Sequence, residues 1–290
     1  MPNIQLREKR DLSSFRRIAI GTWRRSYDPS VYGSMRLRMD ETLRYMDAFR
    51  AQTGRKLTLT HLMAKAVAGV LADIPDANAV LRFNRIYLRE DVDIFFQVAL
   101  EDPETGEVDL SGAVVRQADR KSLLEVVDDF QASVDKVRAR TDKELEGTRS
   151  TMKSIPLFAI GWLLDLLGFL LYTLNLDLRW AGLPKDPFGS CMVTNVGSLG
   201  LEEAYVPLVP YSRVPLLVAV GKVEREALVD EAGQIEIVRT MKVFATFDHR
   251  LLDGQHAARM SKTLRAWFED PWTHFGPIPG EGAATTTPMS

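Results

Sequence analysis

The sequence predicts an α+β protein. Two apolar stripes with helical spacing lie at Leu62 to Leu71 and at Ala257 to Phe268, an apolar hairpin pattern lies between them, and the C-terminal half is mostly strand-like runs separated by Gly, Pro and acidic turns. Helices and strands do not alternate regularly, so the order is not that of a doubly wound sheet. The 290 residues, 46% of them hydrophobic, suffice for one large or two ordinary domains with a proper core.

Taken in order, Thr60 is suited to cap a helix whose apolar positions Leu62, Met63, Ala66, Val67, Val70 and Leu71 share a face and which ends near Pro75. The run "DIFFQVALED" reads as a strand, "PETGE" as its turn and "LSGAVVRQAD" as the returning strand, followed by a helix over "KSLLEVVDDFQASVDKVRAR". Then comes "IPLFAIGWLLDLLGFLLYTLNL", residues 155–176, interrupted only by Asp165, Thr173 and Asn175. As one helix, with Ser154 capping and Pro156 in the first turn, it would be roughly 33 Å long, enough to cross a bilayer. Asp165 falls at its midpoint, where a charge is expensive. A helix or broken helical hairpin buried on the same protein or a neighbouring subunit is therefore favoured over a membrane span, with an interfacial element touching lipid as a third reading.

Three further strands are expected in "SCMVTNVGSLG", "VPLLVAVGKVERE" and "QIEIVRTMKVFATF". Alternation from Met241 to Phe247 ends the last of them, and Asp253 is suited to cap a helix carrying Ala257, Met260, Leu264, Trp267 and Phe268 that stops before Pro271. His249 is thus placed in a short loop between strand and helix. Residues 276–290 are rich in Pro, Gly and Thr and are expected to be a disordered tail. Residues 1–275 then form a single domain interrupted by the hydrophobic segment at about 150–180.

Composition removes several classes of function. A net charge of −2 gives no general nucleic-acid surface, and the pairs Arg16-Arg17 and Arg24-Arg25 are local. The one cysteine, Cys191, permits neither an intrachain disulfide nor a thiolate zinc cluster. No secretory signal opens the chain, so a cytoplasmic location is expected. The four histidines are scattered and form no HExxH, so no metal is expected. "NVGSLG" has the wrong spacing for a phosphate loop or dinucleotide fingerprint, and no GxSxG elbow occurs.

Among the histidines, His61 reads as a solvated or capping residue and His274 as incidental. His256 either lines a cleft or faces solvent. In "DHRLLDG", His249 is positioned to act as a general base near neutral pH, with Asp253 either orienting the ring or fixing the loop. The same spacing also fits a surface corner in which Asp248 pairs with Arg250.

"DHRLLDG" followed by a helix ending "FEDP" resembles the C-terminal signature of the catalytic domain of dihydrolipoamide acyltransferases, the acyl-transferring core component of 2-oxoacid dehydrogenase complexes. "VVRQADRKSLLEVVDDF", "MVTNVGSLG" and "YVPLVPYSRVPLLVAVGKV" agree with further stretches of that family, in order. The resemblance spans roughly Phe15 to Pro271, apart from about 145–180. It implies a chloramphenicol-acetyltransferase-like two-layer fold, a mixed sheet packed by helices, in a homotrimer or a higher multiple of trimers with active sites at subunit interfaces. It also implies that His249 takes the thiol proton, that the Thr194 hydroxyl stabilises the oxyanion, and that Asp253 holds its loop through Arg16. Asn195 and Gly197, in the motif loop, become candidates for contact with the cofactor.

The expected function is therefore acyl transfer between a coenzyme A thioester and a dihydrolipoyl-like thiol or other acceptor, with acyl-CoA as substrate. No lipoyl domain or lipoylation site is found, so no lipoyl group is expected on this chain and a lipoyl-bearing protein would act in trans. Two rival readings remain: a catalytically inactive trimeric scaffold of the same fold, and a protein peripheral to a membrane through residues 155–176.

Overall fold

The computed structural model describes residues 2–10, 29–101, 108–138, 157–230 and 232–278. It is α+β, as expected, with a mixed sheet covered by helices. The strands are β1 (Leu6–Glu8), β2 (Ser30–Arg38), β3 (Ala79–Arg82), β4 (Arg85–Arg89), β5 (Ile94–Glu101), β6 (Val108–Val115), β7 (Cys191–Asn195), β8 (Leu216–Val229) and β9 (Ile235–Asp248). The helices are α1 (Asp40–Thr53), α2 (Leu59–Asp73), α3 (Leu123–Arg138), α4 (Leu157–Gly168), α5 (Gly254–Glu269) and the short α6 (Pro271–His274). Six strands form one sheet in the order β2-β9-β8-β7-β5-β6, antiparallel except where β7 runs parallel to both β8 and β5. A separate antiparallel sheet has the order β1-β4-β3. The turn expected at residues 103–107 lies outside the described residues.

The core lies between one face of the large sheet and helices α2 and α5. Helix α2 is buried on nearly every side, which its continuous run of Leu, Met, Ala and Val allows. A side chain at Gly69 would collide with the Trp267 ring of α5, so the missing Cβ sets how closely the two helices approach. The cap of α2 is Thr58 rather than Thr60: the Thr58 hydroxyl accepts from the His61 backbone amide, and the Thr58 amide donates to His61 Nδ1. His61 thus completes the capping box with its ring, buried rather than solvated. Desolvation first, then the nearby Lys56 charge, lower its pKa to about 4.

The greasy segment does not form one long helix. Helix α4 has 12 residues, about 18 Å at ~1.5 Å per residue. It passes into a π turn at Phe169–Thr173 and reverses at Asn175, whose φ of 57° is left-handed, a conformation that Asn tolerates. Among the described residues no helix is long and apolar enough to cross a membrane. The expected cap Ser154 and first-turn Pro156 lie outside the described residues.

The chain's own start pins the reversal. Asn175 Oδ1 accepts from the Ile4 amide at 2.6 Å, and its Nδ2 donates to the Ile4 carbonyl at 2.5 Å. Asn3 donates to the Leu171 carbonyl at 3.1 Å and accepts from the Asp186 amide at 3.0 Å. Asp186 in turn pairs with Arg89 of β4, the two side chains being only 5% and 2% exposed. Burial alone would lower the Arg89 pKa, but the Asp186 carboxylate overrides it and raises the pKa above its ordinary value.

At the other end the packed chain continues past the expected boundary at 275. Ile278 is 1% exposed and the Gly276 carbonyl accepts from the Tyr45 hydroxyl. The first three residues assigned to a disordered tail thus belong to the fold, because Phe275 and Ile278 complete the apolar cluster beside α1 and α5. Residues 279–290 lie outside the described residues.

Candidate active site

The loop after β9 combines a tight local turn with backbone bonds to the strands beside it. The Asp248 carbonyl accepts from the Leu251 and Leu252 amides at 3.0 and 2.9 Å, closing a tight turn. Leu251 and Leu252 are buried beneath it. The Asp248 amide is held by the Pro215 carbonyl and the His249 amide by the Pro29 carbonyl, each at 2.9 Å, which joins the loop to the strands on either side of β9. Asp248 also grips Arg250 through both carboxylate oxygens, at 2.6 to 3.1 Å. The surface-corner reading was thus right about this pair, but the pair serves to hold the loop that presents His249.

His249 Nδ1 lies 2.7 Å from the Leu252 carbonyl oxygen. A carbonyl oxygen only accepts, so Nδ1 carries the proton of the neutral ring and the lone pair is on Nε2. The half-buried imidazole is thereby fixed in one tautomer by its own loop, with its basic nitrogen directed away from that contact.

Asp253 does not orient that ring. It caps α5, its Oδ1 accepting from the Gln255 and His256 amides at 3.0 and 3.1 Å. The same oxygen lies 2.7 Å from His256 Nδ1, and His256 Nε2 lies 3.5 Å from Asp76 Oδ2, in the turn Pro75–Ala77 after α2. Asp76 also pairs with Lys9, just beyond β1. The His256 contact first, then Lys9, hold the Asp76 carboxyl well below the usual carboxylate range, against the opposing effect of burial. Arg16, the expected partner of Asp253, lies outside the described residues.

Thr194 is on β7, its hydroxyl 3.1 Å from Gln97 Oε1 on β5. Its row in the sheet runs through Ala219 to Phe244, five residues before His249 and two strands away. At about 3.3 Å per residue and ~4.8 Å per strand, the backbones of Thr194 and His249 are about 19 Å apart. One protomer therefore does not bring these two residues together. Asn195 and Gly197 have local structural tasks: Asn195 accepts from the Ser198 amide at 3.0 Å and donates to Thr60 at 3.2 Å. A Cβ on Gly197 would lie 2.5 Å from the backbone of Gly221 and Lys222, where β8 is bulged.

The segment carrying α4 lies beside the loop. A Cβ on Gly168 would meet the Tyr211 carbonyl, and the next residues of that turn bring in Arg213. Burial, then Arg250, hold the Arg213 pKa below its ordinary value, while Asp165 of α4 and Asp248 oppose them. Cys191, fully buried, has its thiol pKa pushed well up by desolvation, which leaves it a small core residue rather than a nucleophile.

Sequence reasoning missed the His256 bridge. Its signal was present: His256 stands three residues after the helix cap, where a side chain reaches back to the capping residue.

A family model described as "2-oxoacid dehydrogenases acyltransferase (catalytic domain)" matches residues 5–156 and 187–275. The stretch between, 157–186, holds α4, the π turn and the Asn175 reversal. Among curated relatives, the dihydrolipoyllysine-residue acetyltransferase component of the pyruvate dehydrogenase complex of Bacillus subtilis is 25% identical over 225 residues, which cover 76% of this chain and 40% of that protein. The mitochondrial succinyltransferase component of the 2-oxoglutarate dehydrogenase complex of Saccharomyces cerevisiae is 27% identical over 227 residues, covering 78% and 39%. The chain thus spans about 40% of the length of these relatives. Among solved structures, the cubic core of the pyruvate dehydrogenase multienzyme complex is similar over 92% of this chain and 94% of its own, with TM-score 0.63 and 21% identity. A probable dihydrolipoamide acetyltransferase from Listeria monocytogenes is similar over 91% and 94%, with TM-score 0.61 and 16% identity.

Proposed function

Since the chain belongs to the catalytic-domain family of the 2-oxoacid dehydrogenase acyltransferases, we propose that it moves an acyl group between a coenzyme A thioester and an acceptor thiol of the dihydrolipoyl kind, at a site completed by a second copy of the chain. The observation that carries this reading is the contact from His249 Nδ1 to the Leu252 carbonyl. It leaves Nε2 as a base of fixed direction at the end of β9, and an inert scaffold has no use for such a device.

A thiol of pKa about 8.5 is mostly protonated at neutral pH, and only the thiolate attacks well. His249 Nε2 takes the proton from the acceptor sulfur, which bonds to the acyl carbon while the carbonyl pair moves onto oxygen. The Thr194 hydroxyl of a neighbouring copy, turned from Gln97 to the oxyanion, stabilises that charge. Collapse breaks the bond to the donor sulfur, which recovers the proton from the imidazolium. No covalent bond to the enzyme is needed.

We infer the second copy from the separation of about 19 Å within one protomer, which neither side chain can span. A homotrimer in which each interface pairs one His249 with one Thr194 satisfies that requirement. We assign the swinging lipoyl arm to a lipoyl-bearing protein acting in trans.

The test is acyl exchange between acetyl-CoA and free dihydrolipoamide. His249→Ala is expected to lose about 10³-fold in turnover, and Thr194→Ala about 10²- to 10³-fold. Mixing the two inactive proteins after dissociation and reassembly is expected to restore a substantial fraction of activity, because hybrid interfaces regain one intact pair. Full activity of His249→Ala would overturn the mechanism. No complementation between the two variants would overturn the shared site.

A further inference from the structure

Beyond the base itself, and resting on the acyl-transfer reading, we infer that His256 acts as an imidazolium clamp, a positioning residue that couples the His249 loop to the small sheet and makes turnover depend on a second histidine. Both ring nitrogens face carboxylate oxygens, Nδ1 that of Asp253 at 2.7 Å and Nε2 that of Asp76 at 3.5 Å. A neutral imidazole has one N–H, so one of these contacts would then set a lone pair against a carboxylate. With both nitrogens protonated, each contact is attractive and charge-assisted.

The clamp reaches the base through a short covalent and hydrogen-bonded path. Asp253 is held at its carboxylate by His256 and caps α5, and the residue before it, Leu252, supplies the carbonyl that fixes the His249 tautomer. On its other side His256 reaches Asp76, whose second partner Lys9 lies at the end of β1. The ring is 17% exposed, so it is shielded from water without being cut off from it. Asp253 of its own helix cap, Asp76 of the Pro75–Ala77 turn and, behind Asp76, Lys9 are the charged groups on this path among the described residues.

The sign of the pH effect follows. The clamp is closed while His256 holds its second proton and opens as pH rises and that proton leaves. Loss of that proton is therefore expected to lower the rate at alkaline pH, and this alkaline limb belongs to His256.

Turnover and KM for acyl exchange, measured from about pH 6 to 9, test this in the wild type, His249→Ala, His256→Asn and His256→Arg. His256→Asn is expected to lower kcat about tenfold to a hundredfold through misplacement of the base, with KM little changed and the alkaline limb gone. His256→Arg, a cation that pairs with carboxylates at any of these pH values, is expected to restore most of kcat and to keep it at high pH. A wild-type rate and pH profile in His256→Asn, with His249→Ala inactive, overturns the clamp and leaves the acyl-transfer reading standing. Nitrogen-15 NMR of the imidazole supplies an arm independent of activity. Both His256 nitrogens are expected to be protonated at neutral pH, and Asp76→Asn to move the titration to lower pH; a neutral His256 ring at pH 7 overturns the clamp.

Discussion

In the loop from Asp248 to His256, polar side chains find most of their partners a few residues away, Arg250 on Asp248, His249 on Leu252 and His256 on Asp253, and His256 also reaches the distant Asp76. In the segment from Leu157 to Asp186, apart from the local pair Asp177 and Arg179, the partners come from distant parts of the sequence. Asn175 is satisfied by Ile4 and Asp186 by Asn3 and Arg89. The apolar side chains of that segment are handled differently too. Trp162 and Trp180 are 83% and 84% exposed, while Leu171 and Tyr172 are buried. The loop, held by local side-chain bonds and by backbone bonds to the strands beside it, lies within the family match. A segment held by distant bonds is fixed only when the whole chain has closed, and it lies outside that match.

The contrast breaks most sharply at Asp186. Removing its carboxylate as Asp186→Ala leaves the Arg89 charge buried without its partner, which is expected to cost about 3 to 5 kcal/mol in chemical denaturation. A cost below about 1 kcal/mol would mean that the segment is not tied to the small sheet as described.

A histidine outside both regions calibrates the two in the loop. His61 is held neutral by burial, with a folded pKa of about 4 against 6.5 for an ordinary ring. Between those values the unfolded chain binds the extra proton and the folded chain does not, so stability is full above about pH 6.5 and falls as the pH drops towards 4. The loss attributable to this group is up to about 3 kcal/mol. His61→Gln keeps an acceptor for the Thr58 amide and cannot titrate, so its stability relative to the wild type should rise as the pH falls, by up to that amount. Parallel denaturation curves for the two proteins at pH 7 and pH 4.5 would sink this account of the buried ring.

The smallest effect is expected on the outward face of α4. Trp162 makes so little contact within the protomer that Trp162→Lys should change unfolding free energy by no more than about 0.5 kcal/mol. A cost of 2 kcal/mol or more, measured together with the oligomeric state, would show that this face is covered in the assembled protein and would narrow the contrast between the two regions.

Much of the sheet was legible because its signals are local. Alternation from Met241 to Phe247 marks the end of β9, and Asp253 before the stripe of Ala257, Met260 and Leu264 marks the start of α5. The small sheet was not legible: β1, β3 and β4 are three to five residues long, and β1 pairs with a strand some eighty residues away. The cap of α2 was misplaced by two residues, from Thr58 to Thr60, since both are followed by good helix formers and only the His61 side chain distinguishes them.

The sequence by itself determined the fold class, the strand and helix that flank His249, and the candidate residues His249 and Asp253, because each depends on a few neighbouring positions. Only the tertiary structure decided which nitrogen of His249 carries the proton, that Asp253 answers to His256 and not to the His249 ring, and that Thr194 stands beside Gln97, away from the His249 of its own chain. It also showed that the apolar segment is no single long helix: α4 ends in a π turn, and Asn175 closes it. Hydropathy records how apolar a stretch is, whereas the bend depends on Asn175 meeting Ile4, a contact across about 170 residues of sequence that no local pattern contains.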